Sequence, residues 1–180
     1  NYDLKFVCFD AQYWIGNGNL IPSGPLREKL DSLKKYDAVF LRNNNLNIDQ
    51  IISEIKKINS NIQIFETKYI IKNLGEFKET KKYLIFSGIG LPDNFKKLLI
   101  NHKINVVKEF IFPDHYQYKE KDILDIIKQA KHLDAEIITT EKDFIKIPEE
   151  YKKRISFLDV SLNIKEEENL INFIKKRINE

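Results

Sequence analysis

The chain has 180 residues, 42% of them hydrophobic and 32% charged, with a net charge of +3. That length holds one good domain, or one plus part of another, and the apolar fraction supports a real core. The mild, dispersed positive charge permits an anionic partner such as a phosphate or a membrane surface, but no basic block interleaved with exposed aromatics marks a nucleic-acid binder. The single cysteine, Cys8, excludes an internal disulfide and a cysteine-based zinc site. Inside an apolar run it is expected to be a buried small hydrophobe in a reducing compartment. No apolar run approaches the roughly 20 residues of a membrane-spanning helix, and no signal-peptide pattern opens the chain. There is no methionine, even at position 1, and a strand begins within five residues of Asn1; both point to a parent protein that continues on the amino side.

In chain order, Lys5 to Phe9 is a strand whose continuous apolar run, Phe6-Val7-Cys8-Phe9, is of the kind found in buried parallel strands and is closed by Asp10. A polar loop with Gly16, Gly18 and Gly24 follows. Pro25 is placed to start a helix with Leu26, Leu30 and Leu33 on one stripe. Asp37 to Leu41 is the next strand. Asp49 is expected to cap a helix whose inner face is Ile51, Ile52, Ile55 and Ile58. Ile62 to Ile71 is expected as a more exposed strand or connector, and Lys72 to Lys82 as a boundary between subdomains. The alternation then restarts: strand Tyr83 to Phe86, helix Pro92 to Ile100 with Phe95, Leu98 and Leu99 inward, strand Val106 to Phe112, helix Glu120 to Leu133, strand Ala135 to Thr139. A short helix over Pro148 to Arg154, one strand over Phe157 to Leu162, and a helix over Glu166 to Asn179 with Leu170, Ile171, Ile174 and Ile178 inward complete the chain. The pattern is α/β: mostly parallel sheets flanked by helices, the end of one α/β domain (residues 1–61), a connector (62–82) and a second, smaller α/β domain (83–180). The last helix is free to pack on either domain.

Phe112-Pro113-Asp114-His115-Tyr116-Gln117-Tyr118 stands out. It leaves the carboxyl end of a strand, where open α/β sheets bind ligands, and carries a carboxylate, an imidazole and two phenols. A polar surface turn would look the same taken alone. Ser87-Gly88-Ile89-Gly90 lies between a strand and a helix, but Asp93 occupies the third small-residue position of a dinucleotide fingerprint, so a tight turn is the simpler reading. No Gly-x-x-x-x-Gly-Lys-Ser/Thr loop, His-Glu-x-x-His motif or Gly-x-Ser-x-Gly elbow occurs. Gly16-Asn17-Gly18 permits close approach of backbone to a ligand, and Arg27, beside Glu28 at the expected helix start, suits a phosphate or carboxylate. A rigid surface loop with an Arg-Glu pair accounts for it equally well. His102 and His132 read as surface residues.

Taken together, four stretches resemble one family. Phe9-Asp10-Ala11 with Gly16-Asn17-Gly18 and Pro22-Ser23-Gly24-Pro25-Leu26-Arg27-Glu28, then Phe86-Ser87-Gly88-Ile89-Gly90, then the Asp114-His115 stretch, then Thr139-Thr140-Glu141-Lys142-Asp143, are similar in order and kind to signatures of the tetraacyldisaccharide 4'-kinases of lipid A synthesis. Ser23 and Lys29 depart from the usual alanine and proline of that pattern. The family's phosphate-binding loop, acidic catalytic residue and magnesium-binding aspartates are not in this chain, which looks like the carboxyl-terminal portion of such a kinase. The resemblance implies transfer of the γ-phosphate of ATP, with Mg2+, to the 4'-hydroxyl of a lipid A disaccharide precursor at the cytoplasmic face of the inner membrane. It implies two α/β domains with the active site in the cleft between them. His115 would work with an aspartate from outside this chain, with Asp114 orienting the loop or the imidazole. Gly16, Asn17, Gly18, Arg27 and Glu28 would bind substrate or phosphate. Ser87, Gly88, Gly90, Glu141, Lys142 and Asp143 would line the site, and the chain itself would supply no metal ligand. The residues alone also permit a freestanding nucleotide- or phosphosugar-binding module built on Gly88, Gly90 and Arg27, or an α/β domain without a ligand.

Overall fold

Unbroken apolar runs become strands buried on both faces. In the computed structural model, which describes residues 4–178, eight strands form two four-stranded sheets. The described residues fall into two units, divided at Ile70/Ile71 and again at Val160/Ser161.

In the first unit the strand order is β1-β2-β3-β8, with β1 Phe6–Asp10, β2 Ala38–Arg42, β3 Gln63–Ile71 and β8 Val160–Ile164. β1, β2 and β3 are parallel. Alternation along β2 explains its double burial. Val39 and Leu41 pack with Ile55 of α1 (Asp49–Ile58), while Ala38 and Phe40 pack with Leu170 and Phe173 of α6 (Glu167–Ile178). The last helix therefore belongs to the first unit. Phe173 lies 5.8 Å from the Phe65 ring and 6.4 Å from the Phe6 ring. Ile171 and Ile178, expected inward, are exposed, because the inner stripe runs through Leu170, Phe173 and Ile174 instead.

Four further expectations are corrected in this unit. β3 is an interior strand of the sheet rather than a connector, although Gln63, Lys68, Tyr69 and Ile70 are exposed, in keeping with a more exposed strand. No α-helix starts at Pro25: the Leu26 N–H donates to Asn19 O at 3.2 Å and Leu26 O accepts from Ile21 N–H at 2.8 Å, which ties this stretch to the loop before it. Only a short 3-10 helix, Leu30–Lys35, follows. Asp49 opens α1 without capping it; Asn47 Oδ1 accepts the Asp49 N–H at 3.0 Å. Cys8 is exposed, not buried, since β1 is the edge strand of the described sheet.

The second unit has the order β5-β4-β6-β7, all parallel, with β4 Lys82–Ser87, β5 Asn105–Ile111, β6 Ala135–Thr140 and β7 Ile155–Leu158. Tyr83 and Ile85 of β4 face α2 (Pro92–Asn101), through Phe95 and Leu99; Leu84 and Phe86 face α3 (Glu120–Leu133), through Ile123 and Ile126. Each such large side chain, fully buried, contributes about 1.5–3 kcal/mol. Short helices α4 (Glu141–Phe144) and α5 (Glu149–Lys152) join β6 to β7. The single strand expected over Phe157 to Leu162 is two, β7 and β8, one in each sheet, broken at Asp159. The ends of this unit are clasped together. Lys72 N–H donates to Asp159 O at 2.8 Å, Asn73 Nδ2 donates to Phe157 O at 2.9 Å, and Asn73 Oδ1 accepts from Asp159 N–H at 3.0 Å.

Candidate functional site

In the first unit the glycine-rich loop leaves β1. Gly16 and Gly18 adopt φ of +58° and +75°, where a side chain is strained. Asn17 closes the loop on itself: Nδ2 donates to Ser23 O at 2.8 Å and Oδ1 accepts from Asn19 N–H at 3.1 Å. Arg27 and Glu28 are both exposed. They form no ion pair with each other; Glu28 Oε1 lies 3.5 Å from the Tyr36 hydroxyl, and Arg27 is left open to solvent. Sequence reasoning missed a neighbouring cluster at the carboxyl ends of β1 and β2. Asp10 and Arg42, paired by strand register, form an ion pair, and the guanidinium lies 5.0 Å from the Tyr69 ring centroid. Buried Asn43 donates to Glu66 Oε1 at 2.9 Å and to Leu46 O at 3.1 Å. The available signal was position: Asp10, Arg42 and Asn43 stand where parallel strands end.

In the second unit the carboxyl ends of β5, β4 and β6 lie side by side. The chain runs to β5 on one side of β4 and then crosses to β6 on the other, which makes this edge a topological switch point. Ser87 and Gly88 leave β4, Phe112 to Tyr118 follow β5, and Thr140 to Asp143 follow β6. Gly88 is where they meet. Its N–H donates to Asp143 Oδ2 at 2.9 Å, and its carbonyl accepts the His115 N–H at 3.1 Å. A Cβ on Gly88 would lie 3.1 Å from Pro113 O, 3.1 Å from the Tyr118 hydroxyl and 3.3 Å from Tyr116 Cβ. Gly90 would approach Asp114 Oδ2 at 3.4 Å.

Asp143 is fully buried. Its Oδ2 also accepts from the Thr140 hydroxyl at 2.7 Å, and its Oδ1 from Lys146 Nζ at 3.0 Å. Burial pushes its carboxyl up, but the Gly88 N–H, the Thr140 hydroxyl and the Lys146 ammonium outweigh that and hold it below the ordinary aspartate value. Burial, and then the Asp143 charge, push the Tyr118 phenol well above the ordinary tyrosine range. The Tyr118 hydroxyl and Ser87 Oγ are buried without a hydrogen-bond partner. Glu141 and Lys142, expected to line the site, are exposed.

His115 is the reverse of Asp143: its side chain is 89% exposed. Its backbone is nonetheless fixed, at φ +59°, with the N–H shared between Gly88 O and Asp114 Oδ1 at 3.0 Å. Asp114 Oδ2 lies 3.9 Å from His115 Nε2. Beneath the loop Phe112 stacks on Tyr116 at 5.0 Å, and Tyr118 sits edge-on to Phe112 and Phe86. Tyr116 in turn donates to Asp122 Oδ2 at 3.0 Å. The arrangement presents an imidazole to solvent from a backbone that has little freedom to move.

Residues 1–179 match the family model described as tetraacyldisaccharide-1-P 4'-kinase. The chain belongs to this 4'-kinase family. The tetraacyldisaccharide 4'-kinase of Pelagibacter ubique (strain HTCC1062) is 46% identical over 175 residues, which cover 97% of this chain and 56% of that protein. That of Rickettsia bellii (strain OSU 85-389) is 40% identical over 164 residues, 90% of this chain and 49% of its own. The chain thus spans about half the length of the curated relatives it matches. A crystal structure described as the "apo" form of LpxK from Aquifex aeolicus in complex with ATP shares the fold with a TM-score of 0.63 at 21% identity, over 98% of this chain and 53% of that one. Of the stretches that carry the 4'-kinase resemblance, the second unit brings three together at Gly88. The partner that sequence reasoning missed there is Lys146. Thr140 and Asp143, spaced like a helix-capping pair, were the signal that could have located the network.

Proposed function

We propose that this chain is the carboxyl-terminal portion of an ATP-dependent lipid kinase. The kinase transfers the γ-phosphate of ATP to the 4'-hydroxyl of a tetraacyldisaccharide 1-phosphate in lipid A synthesis, and His115 receives the hydroxyl proton. The observation that carries the reading is the exposed His115 imidazole on a loop fixed by Gly88 and Asp114 at the carboxyl edge of a parallel sheet. Phosphoryl transfer asks little covalent chemistry of a protein. It asks for a positioned hydroxyl, somewhere for its proton to go, and positive charge near the phosphates. As the 4'-oxygen bonds to phosphorus and the bond to ADP breaks, the hydroxyl proton passes to His115. An aspartate elsewhere in the protein would orient the imidazole, and Asp114 is near enough to hold the loop that bears it. In the first unit, Arg27 on the glycine-rich loop is exposed and open to a phosphate group, with Gly16, Asn17, Gly18 and Glu28 shaping the loop around it.

ATP and Mg2+ would be held chiefly by the part of the protein that the relatives have and this chain does not span. Among the described residues no group of three or more histidine, cysteine or acidic side chains is placed to hold a metal ion. We place the parent protein at the cytoplasmic face of the inner membrane on family grounds; among the described residues no helix is long and apolar enough to cross a membrane. The test is His115→Ala in the full-length protein. The expected result is a loss of about 10²- to 10⁴-fold in kcat with little change in KM for ATP, as for removal of a general base. Near-normal turnover would overturn the assignment.

A further inference from the structure

We propose that Asp143 is a positioning residue for the transfer reaction, acting on His115 through the two polar groups of Gly88. The proposal rests on the reading of His115 as proton acceptor. Lys146 and Thr140 hold the buried Asp143 carboxylate from two sides, at 3.0 and 2.7 Å. That carboxylate grips the Gly88 N–H at 2.9 Å, and the Gly88 carbonyl takes the His115 N–H at 3.1 Å. The adjacent Ser87 carbonyl accepts the Phe112 N–H at 2.9 Å, so the start of the His115 loop is fixed from the same turn. The sequence of contacts runs from the end of β6, through the end of β4, to the loop after β5.

Two features say that this network positions the loop rather than only filling a core. A buried ionised carboxylate is costly to keep where apolar packing would serve, yet the Asp143 carboxylate stays fully buried among three charge-assisted or polar contacts. The residue at the far end of the chain of contacts also holds a left-handed backbone, φ +59°, that a histidine does not adopt freely. Such a conformation persists only where its surroundings over-determine it, and among the described residues the His115 N–H is held by Gly88 O and Asp114 Oδ1.

The experiment uses the full-length protein and the variants Asp143→Asn, Thr140→Val, Thr140→Ser, His115→Ala and the Asp143→Asn/His115→Ala double. Asp143→Asn is expected to lower kcat by about 10- to 100-fold, as a misplaced reacting group does, with KM for ATP within about twofold. The double variant should be no slower than His115→Ala alone, because Asp143 acts only through His115. Amide hydrogen exchange at His115 should speed up in Asp143→Asn by about tenfold or more, reporting the loosened loop without reference to turnover. If Asp143→Asn does not fold, Thr140→Val keeps the buried carboxylate and is expected to show the same changes in smaller measure, with Thr140→Ser restoring them. Wild-type kcat and exchange in Asp143→Asn, or in Thr140→Val, would overturn the proposal while His115→Ala could still be slow. Multiplying effects in the double variant would overturn it too, by giving Asp143 a role apart from His115. Normal turnover in His115→Ala would instead remove the proton-acceptor reading, and with it the step this positioning serves.

Discussion

Asp143 and His115 stand at opposite extremes of one sheet edge: a carboxylate that water does not reach and a ring that water surrounds. The buried partner has a measurable signature. Its carboxyl is held below the ordinary aspartate value of 3.8 in the folded state. Its contribution to stability is therefore fully present above that value and is lost as pH falls below it, through the folded pKa. Urea unfolding should accordingly show Asp143→Asn less stable than wild type by about 2–3 kcal/mol at pH 7, with the gap narrowing as the pH is taken below 3.8. A gap independent of pH would mean that the charge is not what the site uses. Much of this was hidden in the sequence. Asp114 and His115 were legible because they are polar residues with no core to serve, at the end of an apolar strand. The burial of Asp143 was not, because an aspartate after two threonines and two charged residues looks like any solvated helix start. Only the tertiary approach of Gly88 turns it inward.

The secondary structure was most legible where periodicity was long and uninterrupted. α3 occupies Glu120–Leu133, the range its apolar spacing marks out, and the alternation of strands and helices through the second unit follows the pattern read from the chain. It failed where tertiary contacts override local preference. Pro25 has the dihedral for a helix start, but Leu26 is committed to hydrogen bonds with Asn19 and Ile21. The run from Phe157 to Leu162 is apolar enough for one strand, but the two sheets claim its halves separately. In α6 the leucine-isoleucine spacing alone does not mark the inner stripe, because the aromatic ring of Phe173 fills the space beside Phe6 and Phe65. Phe173→Ala should therefore cost about 2 kcal/mol, less than a fully buried phenylalanine because the ring is half-buried. Ile171→Ala, on the exposed side, should cost under about 0.5 kcal/mol. Chemical denaturation of the two variants checks the assignment of faces, and equal losses would refute it.

At the scale of the molecule, the second unit is one continuous stretch, residues 71–160, inserted into a first unit that is not. It has hydrophobic clusters on both faces of its own sheet, and its ends are joined by the Asn73 clasp. Residues 71–160 produced alone are expected to fold cooperatively, with a single unfolding transition and slow amide exchange in β4 and β6. A spectrum without dispersed amide resonances would show that the insert depends on its host.

The discontinuity of the first unit also sets an order of events during synthesis. β1, β2 and β3 leave the ribosome before the second unit, but the face made by Ala38, Phe40 and Phe65 stays bare until Leu170 and Phe173 arrive. All of the second unit is translated in that interval, and it has everything it needs to fold at once. The three strands made before the second unit are thus covered only after it, and through that wait their bare face is the part most in need of a chaperone's cover.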